Sequence, residues 1–167
     1  TIAFGRSCFW ATFFIYGPLL VVEGNLSKQT AGLMISASQL LLLAAWLFGR
    51  WAARSGVRPV ISLCFLVMGL TSLGAGMAGS QQAVLAIVLL LVGSLAAAGV
   101  DAVGGIPFLR AVRFHERQRM AAVYRTFIDF SELIPGLIFA LALRYFEVPV
   151  TFIIMGIIII AISWLFI

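Results

Sequence analysis

The sequence predicts an all-α polytopic membrane protein, a six-transmembrane-helix bundle forming one domain over residues 1–167. Three observations carry this reading. Hydrophobic residues make up 63% of the chain and charged residues 10%, with mean hydropathy +1.14, which excludes an ordinary water-soluble domain. The apolar residues fall in six runs, each near the roughly 20 residues that cross a hydrocarbon core about 30 Å thick at about 1.5 Å per residue. Most of the arginines fall in short turns between those runs rather than on one polar face.

The first run, residues 2–22, carries Phe4, Phe9, Trp10, Phe13, Phe14 and Tyr16. These are read as packing bulk, with a ligand cage as the competing use. Gly17-Pro18 weakens the backbone ladder near the far end, because proline has no N–H to donate. A polar turn, 23–30, leads to the second run, 31–48, which carries Ser36, Ser38 and Gln39 before a leucine stretch. Residues 49–59, Gly-Arg-Trp-Ala-Ala-Arg-Ser-Gly-Val-Arg-Pro, are read as a short basic turn hinged by glycine. The third run, 57–78, with Ser72, Gly76 and Ser80, has the small-residue spacing that lets helix backbones approach in lipid. An uncharged turn, 79–82, returns the chain to the fourth run, 83–106, where Gly93, Ala97, Asp101 and Gly104 share a helical face. After a basic stretch, 108–119, the fifth run spans 120–143 and holds Arg125, Asp129, Glu132 and Pro135-Gly136. Arg144 and Glu147 make the last turn before the sixth run, 148–167.

Alternate turns differ in basic charge. Arg50, Arg54, Arg58, Arg110, Arg113, Arg117 and Arg119 fall on one side; Lys28 and Arg144 fall on the other. The excess of lysine and arginine on cytoplasmic loops places the first set, and with it both ends of the chain, in the cytoplasm. A bacterial-type plasma (inner) membrane is the expected location, and the lipid bilayer the first partner. Arg6 and Arg125 lie near enough to the cytoplasmic face to snorkel toward it. The chain starts at Thr1 without methionine and stops inside an apolar run, so a piece of something longer is expected.

Enzymatic constellations are missing from the sequence: no zinc-type His-Glu-x-x-His, no Gly-x-Ser-x-Gly elbow and no phosphate loop. No catalytic residue, cofactor or metal is therefore expected. His115 reads as a solvated turn residue, and Cys8 and Cys64 as small buried hydrophobes. Nucleic acid is not an expected partner, since that would require a clustered basic stripe.

The informative residues are acids inside apolar runs. Glu132 and Asp129 lie about 18 Å and 13 Å along the fifth helix from Met120, near the expected midplane. Arg125, Asp129, Glu132 and Gly136 form one stripe at 100° per residue, which should face protein or water. Arg125 and Asp129 are spaced to pair at i, i+4. Glu132 is then left over, the situation in which a carboxylate can take up and release a proton. A structural ion network is the competing reading of the same residues. Asp101, nearer the cytoplasmic end, is expected to serve structure or gating.

Six crossings with both ends cytoplasmic, together with Gly49, Arg54, Gly56 and Arg58 between the second and third helices, resemble one half of a major facilitator superfamily transporter. That family carries Gly-x-x-x-Asp-Arg-x-Gly-x-Arg in this loop; here Ala53 stands in place of the acid. The second half of such transporters commonly carries the degenerate copy, so the resemblance implies the C-terminal six-helix half. It further implies a missing N-terminal half or a second copy as partner, a small-molecule substrate at the interface of the halves, and alternating access by rocking. The expected function is secondary active transport, with proton coupling through the fifth helix. The alternatives are a non-transporting membrane scaffold or assembly factor on the same fold, and, ranked last, an ion-channel subunit.

Overall fold

The computed structural model describes residues 2–166, apart from the side chains of Leu109, Phe114, Arg117, Gln118 and Ala142. Ile167, which closes the sixth expected run, and the Arg117 side chain counted among the basic residues lie outside the described residues. The fold is all-α, with six long helices: α1 Ile2–Glu23, α2 Lys28–Ser55, α3 Val57–Ala78, α4 Ala83–Val103, α5 Arg117–Ala142 and α6 Val148–Trp164. A short helix, Ile106–Ala111, leads from α4 toward α5. By length and composition α1, α2, α3 and the Ser80–Phe108 rod that contains α4 can cross a membrane, while α6 is apolar but only 17 residues long. The six long helices correspond to the six expected segments, and Arg125, Asp129 and Glu132 lie within α5 as the sequence places them.

The bundle has two recognisable ends. Ile2 and Ala3 of α1, Gly104 and Phe108 beyond α4, Tyr124 of α5 and Phe166 beyond α6 meet around one recess. Gly24 and Leu26 after α1, with Ser80 to Gln82 before α4 and Ala83 at its start, gather around another at the opposite end. Between them a buried core runs the length of the bundle, with Phe9, Phe13, Phe65, Met68, Phe152 and Met155 fully enclosed.

The tightest contact is α3 on α6, and glycine makes it possible. A Cβ at Gly156 would stand 2.8 Å from the Gly69 carbonyl oxygen, and one at Gly76 would stand 2.7 Å from the Pro149 carbonyl oxygen. Toward one end the same helices exchange hydroxyl contacts, Ser163 Oγ donating to the Ser62 carbonyl at 3.0 Å. In lipid, apolar side chains gain little by leaving the hydrocarbon, so close backbone approach and hydrogen bonds must hold such a pair. Of the expected small-residue set, Ser72 and Gly76 are buried, but Ser80 lies beyond the helix end.

Residues 49–59 are not a turn. Gly49 through Ser55 are the last two turns of α2, and Gly56 alone separates it from α3. No strong helix breaker follows Gly49 until Gly56, whose φ of 90° lies in the region that disfavours a side chain. Pro59 falls in the first turn of α3, where its missing N–H costs no hydrogen bond. The other end of α2 starts earlier than the apolar pattern suggests, because the Ser27 side chain caps it by accepting from the Thr30 N–H at 3.3 Å.

Two helices depart from regular geometry at their middles. In α1 the residues Thr12–Tyr16 form a π turn, in which the Gly17 N–H reaches back five residues to the Thr12 carbonyl. Pro18 explains it: with no N–H, and with its ring crowding the carbonyl four residues back, it forces the preceding turn to widen. In α2 the residues Leu42–Ala44 tighten into a 3-10 turn. By contrast α5 continues unbroken through Pro135.

Candidate functional site

An open cleft of about 420 Å³ lies between α1, α2, α4 and α5. Its wall includes Arg6, Ser7, Trp10, Phe14 and Ile15 of α1, Gln39 and Leu42 of α2, Asp101 of α4 and Glu132 of α5. From Arg6 to Ile15 it follows α1 for about 14 Å, ending within the π turn. The 3-10 turn of α2 begins at Leu42, on the facing wall.

Arg6 organises the charged end of this cleft. Its Nε donates to Oδ1 of Asp101, and its Nη1 donates to Oε1 of Glu132 at 2.9 Å. One guanidinium therefore ties α1 to both α4 and α5. Asp101 is held a second time by the Trp10 indole, whose Nε1 donates to Oδ2 at 3.2 Å. Arg6 and Asp101 keep 26% of their side-chain surface open, and Glu132 keeps 51%. Below them Ser7 and Ser131 join α1 to α5 through a buried 3.1 Å contact. Ser131 spends its proton on the Ile128 carbonyl at 2.7 Å, so Ser7 is the donor of that pair.

The first-helix aromatics divide by face. Phe9 and Phe13 are enclosed in the core, whereas Trp10 and Phe14, stacked at 5.1 Å between ring centroids, line the cleft.

Of the four intramembrane residues singled out in the sequence, Asp101 and Glu132 meet here. Arg125 and Asp129 do not join them. Both are exposed, and the i, i+4 pair expected between them is not among the described ion pairs. The depth of α5 explains this. Tyr124 stacks on Phe108 at 4.3 Å and lines the same recess as Ile2, so it is level with the bundle end. Glu132, eight residues on, lies about 12 Å inside that end, which Arg6 reaches from its position one turn into α1. Arg125 is next to Tyr124 at the rim, where a charge is solvated and needs no partner. Glu132 is thus shallower than its count from Met120 implied, and it has a partner.

Sequence reasoning missed Arg6, assigned to snorkelling, and Trp10 and Gln39 as cleft residues. The available signal for Arg6 was arithmetic: two acids inside apolar helices require a basic partner, and Arg6 is the one cation inside the first apolar run. The motif residues Gly49, Arg54, Gly56 and Arg58 stand apart from the cleft, at the junction of α2 and α3.

Compared with known proteins, residues 2–167 match the family described as Major Facilitator Superfamily. No curated protein and no solved structure matches the chain.

Proposed function

Since the chain belongs to the Major Facilitator Superfamily, a family of membrane transporters, we propose that it is the C-terminal six-helix half of a proton-coupled secondary transporter that moves a small molecule by alternating access. The missing N-terminal half or a second copy would close the open side of the cleft. The placement in the C-terminal half rests on Ala53, which stands where the family's loop motif carries an acid. Arginine in alternate connections supports an inner-membrane protein with the Gly56 junction and both ends of the chain in the cytoplasm.

One observation carries the proton role: a single guanidinium serves two carboxylates from two helices, so the ionised triad has one negative charge to spare. At a partly dry site that surplus is costly, and a proton removes it. Glu132 is the member suited to take that proton because Arg6 alone holds it, whereas Asp101 also accepts from Trp10. Protonating Glu132 removes the acceptor charge that holds Arg6 to α5 while leaving Arg6 on α4. Proton occupancy is in this way connected to the spacing of α1 and α5. The π turn of α1 and the 3-10 turn of α2 border the same cleft, and such irregular turns are where helices bend at functional sites.

The test is proton-driven accumulation of a panel of labelled small molecules by the full chain in reconstituted vesicles. Glu132→Gln is expected to lose the dependence on a pH gradient while downhill exchange and thermal stability are retained. Retained coupling would remove Glu132 from the proton path. A wild-type chain that moves none of the panel, yet is recovered within a larger membrane complex, would favour the scaffold reading.

A further inference from the structure

The arginines at the α2–α3 junction have no part in the cleft, and a second feature lies one turn before Arg54 along α2. A groove of about 130 Å³ opens between α2, α3 and α4, walled by Phe48, Trp51, Leu63, Cys64, Val67 and Leu95. All six walls are apolar. The groove owes part of its shape to Gly99, where a Cβ would come within 2.7 Å of the Phe48 ring. Trp51 is 38% exposed at the junction-side end of the groove, and Arg54 follows one turn later on the same helix.

We propose that this groove holds the acyl chain of an anionic phospholipid whose phosphate is bound by Arg54, with Arg50 and Arg58 completing the basic rim. Charge complementarity is the argument. Arg50, Arg54 and Arg58 are all exposed, and none takes part in a described ion pair. The helices that form the groove carry one acid among them, Asp101, and Arg6 and Trp10 already hold it. Ala53, next to Arg54 in the chain, adds no acid to the junction. Arg50 lies 5.4 Å from the centroid of the Trp46 ring, which keeps a cation at the level where a phosphate would sit. Basic pockets beside membrane helices on the arginine-rich side bind anionic headgroups by this combination of charge and hydrocarbon contact. The proposal does not depend on transport or on Glu132.

The experiment uses the full chain in bilayers containing either phosphatidylglycerol or phosphatidylcholine with brominated acyl chains, which quench nearby tryptophan. The Trp51 contribution is the difference between the parent protein and Trp51→Phe. Brominated phosphatidylglycerol is expected to quench it at about five-fold lower mole fraction than brominated phosphatidylcholine. Arg54→Gln should bring the two lipids together, and Arg54→Lys should restore the preference. Melting curves of each variant verify that the fold persists. Equal quenching by both lipids in the parent would reduce the groove to ordinary bilayer contact, and no quenching by either would mean that protein covers it; each result overturns the proposal.

Discussion

Arg6 has one guanidinium and two carboxylates to serve, and it serves them through different nitrogens: Nε faces Asp101 and Nη1 faces Glu132. A lysine ammonium is a point charge at the end of a flexible stem and cannot span both acids in a fixed fork. Arg6→Lys is therefore expected to keep the protein folded and the charge balanced, yet to slow transport about ten-fold, corresponding to the low end of one lost charge-assisted hydrogen bond. Initial rates in vesicles alongside a thermal melt would check this, and an unchanged rate would show that charge alone suffices. The site was half legible from sequence for a related reason. Asp101 and Glu132 announce themselves because an acid in an apolar run is expensive. Arg6 escaped because an arginine near a helix end can also satisfy itself at the membrane surface. No local spacing links residues that lie 95 and 126 positions apart.

At the scale of helices, the bundle divides by the kind of contact each pair makes. α3 and α6 approach through glycine and exchanged hydroxyl bonds, whereas α1, α2 and α5 border an open cleft and include both irregular turns. A methyl at Gly156 would press on the Gly69 carbonyl and on the Leu73 backbone nitrogen, both at 2.8 Å, and neither can rotate away. Gly156→Ala should cost about 1–3 kcal/mol, the range for overpacking, read as a lower melting temperature in detergent. Gly136→Ala is the control: a Cβ there meets nothing within 4 Å, and stability should not fall. Pattern reading found part of this pair through Gly76, but it could not see that Gly69 and Gly156 oppose each other, since facing residues on separate helices leave no periodic trace within either one.

For the whole molecule, the fold class was readable because lipid permits so few solutions: long apolar runs must be helices that satisfy their own backbone groups. Helix ends were less readable. Residues 49–55 looked like a loop by charge, yet charged residues at a membrane surface can stay helical, and only Gly56 forced a break. Orientation has a direct check. Cys8 and Cys64 are buried, so a cysteine placed at an exposed connection is the one that a membrane-impermeant maleimide will find. Gln81→Cys is expected to label in intact cells, and Ser55→Cys only in inside-out vesicles; the reverse pattern would invert the proposed topology.

The π turn of α1 has a consequence for how this chain can change by insertion and deletion. A π turn is a regular helix carrying one surplus residue, so the residues before and after Thr12–Tyr16 keep the phase that an uninterrupted helix would give them. Losing a single residue within that stretch would leave Arg6 and Phe9 aimed as they are now. The same loss inside the regular turns of α3 would swing everything on one side of it through about 100° and unseat the glycine contact with α6. Among the described helices, the middle of α1 is thus a place where the reading of the chain can slip by one without turning the charged cluster away from its partners.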